Sequence, residues 1–365
     1  DMITLIIFSL GFYIFAYYIG TFNFNTKVQL FLTLFPLFII SAFRYNVGFD
    51  FTSYQDYFYL VQEDNDVYLD MTYKSLSRLF YDVGGNEQCI FIIYSLLTVF
   101  LLYKIFEYIV VNYDVKNRRI YIIGLVFSFY SFYFFLSLNQ IRSSLSALFL
   151  CYAFIKDKRT IVFYLCFFFA FLFHSASIFL FPVYFVIKKL NFKFMLFLFP
   201  VLALLSFFNL FSELIKVLLL VSNSRFSVYF NSEFFTPKVG LEKFYTLATT
   251  FVTLVILGIS ILNLPRRYEM LLRLVYCFIL LRLMSMDALI FARLSDFLKP
   301  VSIIIVFATI YEISFKFRPN FILPFYIIAI MILALFNIYI GSNISEIPNY
   351  KYYFNFCIFG KVCPI

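Results

Sequence analysis

Three side chains interrupt an apolar sequence at points where a charge or a titratable ring is costly to keep. Arg142 lies in Asn139-Gln140-Ile141-Arg142-Ser143-Ser144, His174 in Phe173-His174-Ser175-Ala176-Ser177, and Arg293 in Phe291-Ala292-Arg293-Leu294-Ser295-Asp296. Ionisable groups at membrane depth are rare and mark candidate functional sites. A guanidinium fork matches two oxygens of a phosphate or diphosphate, and an imidazole can accept a proton near neutral pH. Asn139, Gln140, Ser143 and Ser144 add donors at a helix start, where the helix end itself favours an anion. A second stretch, Arg44 to Tyr57, holds Arg44, the carboxylates Asp50 and Asp56, and the tyrosines Tyr45 and Tyr54. Asp50 and Asp56 suit sugar hydroxyls or base chemistry, and tyrosines stack on sugar faces, so the stretch reads as one wall of a glycan-lipid site.

A structural reading stands beside each of these. Arg44 with its tyrosines also fits an interfacial aromatic belt with a snorkelling arginine. Arg142 and Arg293 also fit snorkelling arginines, with Asp287 or Asp296 as partners, and a lone histidine at a helix boundary also fits hydrogen-bonded packing. No acidic or histidine cluster at metal spacing accompanies them in the sequence, so the expectation is arginine rather than metal at the anion. Asp64-Asn65-Asp66 looks like the metal motif of nucleotide-sugar enzymes but falls on the outer side, and reads as a solvated acidic tip.

The elements that must hold these groups are membrane helices. The 365 residues are 63% hydrophobic and 13% charged, with a mean hydropathy of +0.91, which excludes a soluble globule. The net charge of +9 sorts by side. With the amino terminus outside, the inner connections carry Lys27, Lys116, Arg118, Arg119, Lys156, Lys158, Arg159, Lys188, Lys189, Lys193, Arg266, Arg267, Lys316 and Arg318, while Asp50, Asp56, Glu63, Asp64, Asp66, Asp70, Asp82 and Glu87 fall outside. This positive-inside pattern argues against nucleic-acid binding. It also brings Arg44, Asp50, Arg142, His174 and Arg293 to one outer face.

Apolar length predicts about twelve helices, near 2–20, 28–43, 89–110, 120–138, 140–155, 161–173, 175–187, 194–211, 245–264, 271–290, 299–313 and 321–340. The expected fold class is all-α, a single polytopic bundle over 1–365 with two long outer loops, 44–88 and 212–244. Each loop is expected to hold an amphipathic helix. In the first, Leu69, Tyr73, Leu76, Phe80 and Val83 share a face; the second is expected over Glu213 to Phe230. The first apolar run, Met2 to Gly20, lacks a basic n-region or small-residue cleavage site and is expected to stay as a span. Cys89, Cys151, Cys166 and Cys277 lie in or at apolar helices, while Cys357 and Cys363 fit either a disulfide or two thiols.

Taken together, Arg44-Tyr45-Asn46-Val47-Gly48-Phe49-Asp50-Phe51 with Tyr54, then Asn139-Gln140-Ile141-Arg142, Phe173-His174-Ser175-Ala176, Arg293-Leu294-Ser295 and Pro348-Asn349-Tyr350-Lys351 resemble the EpsG-type polysaccharide polymerases, which belong with the Wzy-like O-antigen and capsule polymerases. The resemblance spans nearly the whole chain and implies a GT-C-like glycosyltransferase of the bacterial inner (plasma) membrane. It implies transfer of a growing glycan from one polyprenyl diphosphate to another carrier-linked repeat unit at the periplasmic face, with no cofactor and no metal. The implied partners are the polyprenyl-diphosphate-linked oligosaccharide and a chain-length regulator protein. By the same resemblance Arg44, Arg142 and Arg293 would bind the diphosphate, and Asp50 and His174 would orient or deprotonate the attacking hydroxyl. Tyr45, Tyr54, Asp56, Asn139, Gln140 and Asp296 are the expected substrate contacts. The departure at Asn349 and the long apolar tail leave the carboxy terminus without an assigned role. A lipid-linked oligosaccharide flippase, or a single-addition glycosyltransferase or O-antigen ligase, would carry similar residues.

Overall fold

The computed structural model describes residues 2–47, 50–63, 70–113, 115–156, 160–190, 192–210, 213, 237–317, 322–343 and 350–354. These are almost wholly helical and fall into two compact units, 1–175 with 313–365, and 176–312. The expected amphipathic segment at Glu213 to Phe230, and Cys357 and Cys363, lie outside the described residues apart from Glu213.

In the first unit, α1 (Met2–Thr21) and α2 (Thr26–Ala42) lead into a short strand β1 (Arg44–Val47). The loop expected on the outer side then holds two helices, α3 (Phe51–Leu60) and α4 (Met71–Asp82), before the long α5 (Gln88–Asn112). Next come α6 (Arg118–Phe129), a π-helical turn at Tyr130–Phe134 and α7 (Phe135–Asn139), which together form one continuous helical run. The pair α8 (Ile141–Lys156) and α9 (Ile161–Phe173) completes the core. Gln88–Asn112, Arg118–Asn139 and, in the second unit, Leu241–Asn263 are long and apolar enough to cross a membrane. Large apolar side chains such as Ile14 on α1, Phe100 on α5, and Ile161 and Phe168 on α9 stand exposed, as expected where lipid is the solvent.

Close packing fixes the helix pairs. Ser146 Oγ donates to the Ala170 carbonyl at 2.8 Å, and Phe149 stacks on Phe173 with ring centres 5.6 Å apart, which locks α8 to α9. Small residues at such crossings let backbones approach closely. The π turn sets a ladder of buried hydroxyl contacts: Tyr130 with Ser9 and Ser131 with Tyr13, both at 2.6 Å, while Tyr133 donates to the Ser144 carbonyl at 2.7 Å. A straight helix over 120–138 was expected; the extra residue of the π turn is accommodated by these tyrosines.

Two further departures concern the outer loop. The helix α3 was not expected, although Phe51, Tyr54 and Phe58 bury one face of it. The buried stripe of α4 is Tyr73 and Ser77, and Val83 lies beyond the helix end and 62% exposed, so the predicted apolar face is one turn too long. The loop closes on β2 (Tyr350–Phe354), which pairs antiparallel with β1 in the register Arg44 with Phe354, Tyr45 with Tyr353 and Val47 with Tyr350. Thus the carboxy-terminal stretch that had no role is a strand partner of the Arg44 segment.

The second unit contains α10 (Leu180–Lys189), α11 (Phe192–Phe207), α12 (Leu241–Asn263), α13 (Glu269–Met284), α14 (Leu289–Asp296) and most of α15 (Lys299–Phe317). The span expected over 271–290 ends at Met284, where Ser285 Oγ donates to the Arg282 carbonyl, and a separate short helix carries Arg293. Finally α16 (Ile322–Asn343) returns to the first unit, where Tyr326 meets Ser128 at 3.0 Å.

Candidate active site

The first turn of α8 presents Arg142. The preceding helix stops because Gln140 leaves helical geometry, its N–H still bonded to the Leu136 carbonyl, and its own carbonyl then receives the Ser144 N–H. Ser143 Oγ reaches the Gln140 amide oxygen at 3.2 Å, so Gln140 braces this turn. At the same end of the α8–α9 hairpin, His174 ends α9 in extended geometry with its N–H on the Ala170 carbonyl. The chain then turns into a 3-10 segment, Ser175–Phe179.

Between Arg142 and His174 stands Asp70. Its Oδ2 accepts from Arg142 Nη1 at 2.8 Å and lies 3.3 Å from His174 Nδ1, while Oδ1 accepts the Ser175 N–H at 3.0 Å. Asp70 precedes α4 in the cap position, yet its side chain makes no cap bond to that helix. A cap of this kind is worth about 1 kcal/mol, so the carboxylate gives up a local contact for a tertiary one. Thr72 Oγ1 fixes the same end of α4 by donating to the Leu172 carbonyl at 2.8 Å. Burial pushes the Asp70 carboxyl up, but the close imidazole of His174, then Arg142 and the Ser175 N–H, outweigh it and hold the group below its usual range.

Tyrosines wall this cluster. The Arg142 guanidinium lies 5.7 Å from the Tyr54 ring centre and 6.0 Å from that of Tyr73, and the Tyr73 hydroxyl donates to the Tyr54 carbonyl at 2.5 Å. Burial raises both phenols above their ordinary value; for Tyr54 the charges of Arg142 and Arg44 oppose it. They therefore stay protonated at neutral pH and act as donors and apolar walls. Arg142 Nε is buried with no hydrogen-bond partner among the described residues, while the side chain as a whole is about one-fifth exposed.

The other sequence candidates are placed as follows. Arg44 is fully buried, donating from Nη1 to the Ser41 carbonyl at 3.0 Å and from Nη2 to the Leu138 carbonyl at 2.9 Å, with its guanidinium 4.7 Å from the Phe91 ring centre. Phe91 in turn meets Tyr54 edge-on at 6.4 Å, so Arg44 lies behind the tyrosine wall. Tyr45 packs edge-on against Phe51 at 5.5 Å. Asp50 precedes α3 and its carbonyl receives the Tyr54 N–H, while Asp56 is exposed on that helix. Asn139 and Gln140 are half-buried beside Arg142 in sequence. Arg293 and Asp296 belong to the second unit, on α14. There burial raises the Asp296 carboxyl, opposed by Lys299, Arg282 and Arg293.

Of the sequence candidates, then, Arg142, His174 and Tyr54 come together, with Asp70 and Tyr73 as members that sequence reasoning did not single out. The fold and this cluster define an all-α membrane protein with an arginine, a carboxylate and a histidine gathered at helix ends. The chain belongs to the EpsG family, whose profile matches residues 27–354. The resemblance carried by the sequence blocks is thereby borne out, and membership supports a polysaccharide polymerase role of glycosyltransferase type. Comparison with curated proteins and with solved structures finds no match.

Proposed function

We propose that the protein joins oligosaccharide repeat units, carried on polyprenyl diphosphate, into O-antigen or capsular or exopolysaccharide chains at the outer face of the bacterial inner membrane. The observation that carries this reading is the Arg142, Asp70 and His174 cluster at the ends of α8, α4 and α9. In the reaction the acceptor sugar hydroxyl forms a bond to the anomeric carbon of the donor glycan. The bond from that carbon to the diphosphate breaks, and the electron pair leaves with the diphosphate. Arg142, at a helix start, stabilises the leaving charge, a role worth about 3 to 4 kcal/mol for one well-placed donor. His174 takes the hydroxyl proton at Nε2, while its Nδ1 faces Asp70. Tyr54 and Tyr73, both buried, back the Arg142 guanidinium from within the fold.

The test is product length. Purified protein in nanodiscs receives polyprenyl-diphosphate repeat units and no nucleotide sugar, and the glycans are resolved by size. Wild-type protein is expected to give a ladder, and Arg142→Ala none although it inserts normally. A normal ladder from Arg142→Ala overturns the diphosphate role. Arg293→Ala in the same assay decides whether the second unit's arginine takes part.

A further inference from the structure

Among the described residues, Asp70 touches both Arg142 and His174. It comes from a third element, the loop that begins α4, and its side chain is almost fully buried. Oδ2 lies 3.3 Å from His174 Nδ1 but outside hydrogen-bond geometry, so it is the nearby negative charge that favours a proton on that nitrogen and leaves Nε2 as the basic one. The second contact acts on the guanidinium. With Nη1 held by Oδ2 at 2.8 Å, Arg142 is fixed in orientation over Tyr54 and Tyr73. The third contact, from the Ser175 N–H to Oδ1, ties the carboxylate to the residue that follows His174. One side chain therefore fixes the spacing between the two groups.

We propose that Asp70 is a positioning residue for glycosyl transfer, which sets the tautomer of His174 and the orientation of Arg142 without itself touching the substrate. The proposal rests on the reading that Arg142 and His174 act on substrate. It adds that their action depends on a carboxylate at position 70, so that neither acts at full strength alone. Other groups near the cluster do not substitute for it. The phenols of Tyr54 and Tyr73 are neutral, and the Tyr73 hydroxyl is engaged by the Tyr54 carbonyl.

The experiment compares Asp70→Asn, Asp70→Glu, His174→Ala and the double variant Asp70→Asn with His174→Ala in the ladder assay, with kcat and KM for the lipid-linked donor and a thermal melt for each. Asp70→Asn keeps the size and loses the charge. It is expected to lower kcat about 100-fold while KM changes far less, and to fold and insert with a melt somewhat below wild type. Asp70→Glu restores the charge on a longer arm and is expected to recover part of that loss. The double variant is expected to lose less than the product of the two single losses, because part of what Asp70 does runs through His174, while the lost Arg142 contact still adds to the loss of His174→Ala alone.

Wild-type kcat in Asp70→Asn, with His174→Ala inactive, overturns the proposal and leaves the functional reading standing. Losses that multiply in the double variant, or Asp70→Glu no better than a folded Asp70→Asn, likewise assign Asp70 a purely structural part. If Asp70→Asn does not insert, Asp70→Glu carries the comparison: a kcat between wild type and His174→Ala supports the proposal, and a wild-type kcat opposes it. A normal ladder from His174→Ala overturns the functional reading itself.

Discussion

Replacing Arg44 by alanine removes a guanidinium that two backbone carbonyls and the Phe91 ring enclose completely. The Ser41 and Leu138 carbonyls would lose a charged donor and a cavity would open, a combined cost of about 3 kcal/mol. Arg44→Ala is therefore expected to lower the melting temperature and the yield of folded protein in detergent more than Arg142→Ala, whose side chain is about one-fifth exposed. A second expectation concerns acid. Because Asp70 titrates below the ordinary carboxylate range in the fold, its ionised form stabilises the native state. That contribution is present above the unfolded value of about 3.9 and is lost as pH falls through the lowered native one. Melts between pH 5 and pH 3 should fall more steeply for wild type than for Asp70→Asn; equal slopes would show that the carboxylate is not stabilised by its neighbours. Arg142 and His174 were legible in the sequence because a charge or an imidazole stands out in an apolar run. Asp70 was not, because it sits in a loop with Glu63, Asp64 and Asp66, where one acid looks like the next.

Helices are positioned by a few polar clasps on an apolar background. Glu87, at the start of α5, receives the Gln55 amide at 2.7 Å and the Tyr59 hydroxyl at 2.9 Å, which docks α3. Burial, then the hydrogen bond and charge of Glu87, push the Tyr59 phenol up to about 12. Glu87→Ala should weaken this docking by about 2 kcal/mol, and the loss should shrink when Tyr59→Phe has already removed one bond. A thermal melt of the four proteins in that cycle checks it, and additive losses would mean the clasp does not act as a pair. The helix itself went unread in the sequence. Its buried face, Phe51, Tyr54 and Phe58, has helical spacing, but aromatic residues favour helices weakly and the polar residues around them suggested a loop. The π turn was unreadable for a different reason. A 22-residue apolar run fits a straight helix equally well, and only the tyrosine and serine partners from α1 and α8 select the wider turn.

At the scale of the molecule, apolar lengths gave helix positions within a few residues over much of the chain, since membrane-length runs leave few other structures open. The orientation rests on the charge pattern and has a direct check. Asp56→Cys should react with a membrane-impermeant maleimide on intact cells and Arg118→Cys only after permeabilisation, while the buried native thiols Cys89, Cys151, Cys166 and Cys277 stay silent. The reverse labelling would invert the topology and place the Arg142 cluster inside. The strand pair could not be read from sequence, because its two halves lie at opposite ends of the chain. That separation governs how the protein is made. At about 5 to 20 residues per second, the ribosome needs on the order of 15 to 60 s to add the roughly 300 residues between the two strands. Throughout that interval the first strand has no pairing partner from its own chain, and its open edge is a template for any extended segment nearby. A message cut short before codon 350 would leave that edge open for good, so truncated products should be recognised and cleared by surface proteases even when every helix before the break has entered the bilayer.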